Sequence, residues 1–100
     1  MRRAALIALP VLLAAATPIR AADPAEGRSL AERWCAQCHA VAEDQPAAAD
    51  AAPTFPAIAR ARTDDQLAGW MAAPHPPMPD PGLSRAQTEA LTAWIASLRD

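Results

Sequence analysis

Cys35-Ala36-Gln37-Cys38-His39 is the densest cluster of reactive side chains in this 100-residue chain, and it holds both of its cysteines. Thiols three positions apart on a helical turn lie on the same side, so both can add to the two vinyl groups of one porphyrin. The adjoining imidazole is then aimed at the porphyrin iron. Cys-x-x-Cys-His is the attachment signature of c-type haem, and neutral imidazole is a common ligand of haem iron. Three other readings use the same residues. A thioredoxin-like dithiol belongs beside a βαβ pattern, and no segment here alternates as a strand. A zinc site of Cys35, Cys38, His39 and His75 has the right ligand number, but adjacent Cys38 and His39 crowd one tetrahedral ion. A lone disulfide would close a very short loop that constrains little of the unfolded chain, and it leaves His39 without a role.

A six-coordinate haem iron needs a second axial ligand, and Met71, Met78 and His75 are the candidates. Met71 falls on an apolar helical stripe, where methionine serves as flexible core filler. Met78 stands between Pro77 and Pro79 in a segment without amphipathic spacing. There a proline-stiffened loop can present a thioether at little ordering cost. Met78 is therefore the expected distal ligand, with His75 as the alternative, because His/His ligation also occurs and Met/His ligation raises the potential.

The elements that must position these groups are helices. Asp23-Pro24-Ala25-Glu26 has the form of a helix start with reciprocal capping, and Leu30 and Trp34 share one face of the helix that follows, from Ala25 to about Cys35. From Val41 to Pro56 no apolar period survives, which predicts a loop with room for one turn at Ala47 to Ala52, and a short helical piece is expected from Pro56 to Arg62. Thr63-Asp64-Asp65-Gln66 caps a second main helix carrying Leu67, Trp70 and Met71, which ends before Pro74. The prolines at 74, 76, 77, 79 and 81 favour a stiff extended segment. Ser84-Arg85-Ala86-Gln87 caps a last helix with Leu91, Trp94, Ile95 and Leu98 in one stripe. The expected fold class is all α: three or more short helices joined by Pro-rich loops.

Residues 1–22 have the layout of an export signal: Arg2 and Arg3, an apolar run of 14 residues from Ala4 to Thr17, and a small-residue exit at Ala21-Ala22. That run is short of the ~20 residues that span a bilayer. Residues 23–100 then form one domain, with cleavage expected after Ala21 or Ala22. From Asp23 onward six arginines face eleven carboxylates, a balance of −5, and lysine is absent. Such a surface disfavours nucleic acid and anionic lipid as partners. Alanine supplies 20 of these 78 residues, and only 14 large apolar side chains remain to build a core. A domain so small needs another source of stability, and a buried macrocycle would provide it.

Taken in order, Cys35, Cys38, His39, Pro53, Trp70, Met78 and the Trp94 helix resemble a small bacterial class I cytochrome c over nearly all of 23–100. The resemblance implies the cytochrome c fold around one covalently attached haem c, with iron held by His39 and Met78. It further implies that Pro53 offers its carbonyl to the far ring nitrogen of His39, that Trp70 lines the haem, and that Gly27 lets the first and last helices approach near Trp94. Arg60 or Arg62 would meet a haem propionate. Two positions depart from the family: Ala31 stands where an aromatic is common, with Trp34 as its expected compensation, and a lysine ring for docking is missing. Core packing is the expected role of Trp34, Trp70 and Trp94. The function so implied is that of a monomeric, non-enzymatic, periplasmic one-electron carrier meeting other redox proteins briefly. A fixed relay subunit of a dehydrogenase or oxidase complex, or a gas- or peroxide-binding haem protein, are the alternatives.

Overall fold

The computed structural model describes residues 4–12, 22–46, 52–73 and 76–100. The domain is all α, with α1 at Pro24–Trp34, α2 at Phe55–Ala61, α3 at Asp64–Ala72 and α4 at Arg85–Ser97. No strand occurs among the described residues. The turn expected within 47–52 falls largely outside them, as does His75. Helix α4 is the hub, packing against α1, α2 and α3.

Each helix starts where side-chain chemistry satisfies its free amides. Thr63 and Ser84 form two-way capping boxes with Gln66 and Gln87 at α3 and α4. At α1, Asp23 instead accepts from the amide of Ala25 at 2.9 Å, so the expected return bond from Glu26 is not part of the cap. Helix α2 begins one residue earlier than its sequence suggests, with Thr54 as cap and Pro56 inside the first turn. Proline is tolerated there because a first-turn amide has no intrahelical partner to lose.

The core gathers Ala31, Cys35, Val41, Phe55, Ala59, Leu67, Met71, Leu91, Ile95 and Leu98. Two tryptophans expected inside are largely outside: Trp34 is 58% and Trp70 46% exposed. In both helices the inward line runs at i, i+4, through Gly27, Ala31 and Cys35 on α1 and Leu67 and Met71 on α3, which leaves the aromatic on the flank. Trp34 therefore does not compensate for Ala31. Helices α1 and α4 close directly instead. A Cβ at Gly27 would fall inside the van der Waals shell of the Ala90 carbonyl oxygen and 2.8 Å from the Trp94 Cβ. Only glycine permits this crossing.

Candidate functional site

The chain leaves α1 through the motif. Cys35 is the C-cap, its amide bonded to the Ala31 carbonyl, and the amides of Cys38 and His39 both return to the Cys35 carbonyl at 3.1 and 2.9 Å. Cys35 is buried and Cys38 exposed, and both are free thiols. Burial, followed by the neighbouring Cys38, pushes the Cys35 thiol above its ordinary range. A buried thiol is a poor nucleophile because its thiolate is disfavoured.

His39 is oriented from both ends. Its Nδ1 lies 2.6 Å from the Pro53 carbonyl oxygen, and a carbonyl can only accept, so Nδ1 donates and Nε2 is the nitrogen left for a metal. The Phe55 ring sits 5.2 Å away, centroid to centroid. The Phe55 amide donates to the Ala40 carbonyl at 2.8 Å, which fixes the Pro53 segment alongside the motif. The half-buried Met78 packs against the same core cluster that contains Cys35, whereas Met71 is a buried member of that core. Two free thiols, an imidazole with one nitrogen committed to a carbonyl, and a thioether on a shared apolar core fit a tethered porphyrin. Cys35 and Cys38 would hold its edge, with His39 and Met78 as donors to its iron. Among the described residues no group of three or more His, Cys, Asp or Glu is arranged to hold a bare metal ion.

Two arginines singled out in the sequence make contacts of their own. The Arg60 guanidinium donates to Glu43 at 2.6 Å on the surface, and Arg62 contributes its carbonyl to Arg99. A groove of about 840 Å³ between α3 and α4 carries Asp64, Asp80 and Glu89 among its walls but none of Cys35, Cys38, His39 or Met78. Arg85 lines the same groove, beside the carboxylates. Sequence reasoning missed the bond from the Trp94 indole to the Val41 carbonyl, 2.8 Å long. The need of a half-buried indole N–H for an acceptor was its only signal.

The profile described as Cytochrome c matches residues 24–99. The chain is also 45% identical, over 82 residues, to the "Cytochrome c-552" of Bradyrhizobium diazoefficiens, an alignment that covers 79% of this chain and 78% of that protein. No solved structure matches the chain significantly. From the first residue of α1 to Arg99, the chain belongs to the cytochrome c family of electron carriers, which bear a covalently attached haem c.

Proposed function

We propose that this protein is an exported monohaem electron carrier in which Cys35 and Cys38 form the thioethers, His39 is the proximal ligand and Met78 the distal one. The observation that carries the reading is the 2.6 Å bond between His39 Nδ1 and the Pro53 carbonyl. It orients the ring and makes Nε2 a better donor, as outer partners of metal-bound imidazoles do. Haem iron supplies one-electron chemistry between Fe(III) and Fe(II). The chain's own part is to keep both donors in place, so that a change of oxidation state needs little rearrangement, and to shield the macrocycle from water. Trp70 on α3, and Arg60 or Arg62 through a propionate, are assigned supporting contacts.

Export follows from residues 1–22. Leu6, Ile7, Leu9, Val11 and Leu12 are each at least 81% exposed, so this apolar stretch adds nothing to the domain core. No helix of the described residues is long and apolar enough to cross a membrane. The mature, acidic protein then works in the periplasm as a monomer and suits redox partners with basic contact patches, at rates that fall with added salt. Expression with haem-maturation machinery tests the whole. A haemochrome spectrum that survives denaturation, a mass equal to residues 23–100 plus one haem within a residue of that start, and a Met-to-iron charge-transfer band are expected. Loss of colour on denaturation refutes the thioethers, and carbon monoxide binding at neutral pH without that band refutes Met78.

A further inference from the structure

Three consecutive residues of the motif's exit are held by two distant parts of the chain. The His39 ring bonds Pro53, the Ala40 carbonyl accepts from Phe55, and the Val41 carbonyl accepts from the Trp94 indole at 2.8 Å. Two of these anchors come from the segment before and into α2. The third comes from α4, fifty-three residues away in sequence. Val41 is fully buried, so without the indole its carbonyl would lose its partner in a place water does not reach, a costly state.

The indole itself has little freedom. Its Cβ lies against Gly27, where no side chain can fit, and the Arg28 guanidinium carbon sits 5.2 Å from the ring centroid. Arg28 is in turn held by Glu32 at 2.8 Å. With Ala31 contributing no bulk at this crossing, Trp94 is the large side chain joining α1 and α4 to residues 39–41. The Arg28 contact fastens the ring to α1, whereas the N–H alone reaches the motif.

We infer that Trp94 is a positioning residue for His39: its N–H fixes the Val41 carbonyl, and through two peptide planes it sets the angle and length of the His39–Pro53 bond. The inference rests on His39 being an iron ligand. A tighter bond at Nδ1 makes the imidazole a stronger donor and favours Fe(III), so releasing Val41 raises the reduction potential.

The test uses the haem-loaded chain and proton NMR. In the unsubstituted protein the Trp94 Nε1 proton exchanges at least about fivefold more slowly than that of Trp34 and shows a hydrogen-bond coupling to the Val41 carbonyl carbon. Trp94→Phe keeps ring packing and deletes the N–H. It is expected to shift the haem-methyl resonances of the oxidised protein, speed exchange of the Phe55 amide about fivefold, leave α3 amides unchanged and raise the potential. Arg28→Gln weakens the same helix contact, and is expected to lower Tm with the resonance pattern intact. An unchanged pattern and potential in Trp94→Phe would overturn the inference and leave Trp94 as packing alone. If that variant does not fold, the coupling in the unsubstituted protein decides, and its absence overturns the inference equally. Failure of the haem reading looks different: no shifted haem resonances in any variant.

Discussion

The segment leaving α1 and the segment entering α4 both close on the same core, yet they are built on different physics. From Cys35 to Val41 the backbone and ring are tied by bonds to fixed acceptors and donors on α1, α4 and the 53–55 segment. From Pro76 to Leu83 the described hydrogen bonding reduces to one bond, the Gly82 amide to Asp80 at 2.9 Å. Four of those eight residues are prolines, which have no amide to offer. The first segment is defined by what it bonds in the folded state. The second is defined by how few conformations it has when unfolded, together with the packing of Met78 and Leu83 on the core. An imidazole, which is directional, is held the first way, and a flexible thioether the second.

Substitutions can break or sharpen that contrast. The largest effect is expected from Cys35→Ala with Cys38→Ala, which removes the tether on the hydrogen-bonded side: covalent haem is lost and little folded protein accumulates, read by haemochrome spectrum and intact mass. Met78→Ala strikes the other side. Covalent haem stays but the potential falls, because a Met ligand raises it; an unchanged potential on electrochemical titration would take Met78 out of the coordination sphere. Gly27→Ala forces α1 off Ala90 and is expected to cost about 3 kcal/mol, seen as a depressed Tm. Ser84→Ala removes one arm of the cap that ends the proline-rich segment, and about 1 kcal/mol is expected in denaturant unfolding. Arg85→Ala, which breaks an exposed pair with Glu89, should leave the unfolding midpoint within error.

Much of this was legible in residue order. Capping signatures at Thr63 and Ser84 mark the true starts of α3 and α4, and the 3.6-residue stripe on α4 marks its buried face, because these signals are local. What was not legible depends on where helices cross. Spacing places Trp34 with Leu30 and Trp70 with Leu67, but which side of each stripe meets α4 depends on how the helices cross; for α1 the close approach at Gly27 leaves Trp34 on the outside. Helix α2 has the expected length but lies one residue earlier, because Thr54 rather than Phe55 is its cap. At the site, motif spacing puts Cys35, Cys38 and His39 forward as candidates. The Arg60 pairing with Glu43 and the Trp94 bond to Val41 join residues 17 and 53 positions apart, a separation that no local pattern encodes.

The outward turn of Trp34 has an optical consequence. Its indole is wet and adjoins Cys35, so in a chain without cofactor it should fluoresce at long wavelength. A porphyrin joined to the next residue would absorb that emission through space. With Trp70 and Trp94 replaced by phenylalanine, the dimming of Trp34 thus becomes a built-in gauge of haem capture, readable in a cuvette without denaturing the protein.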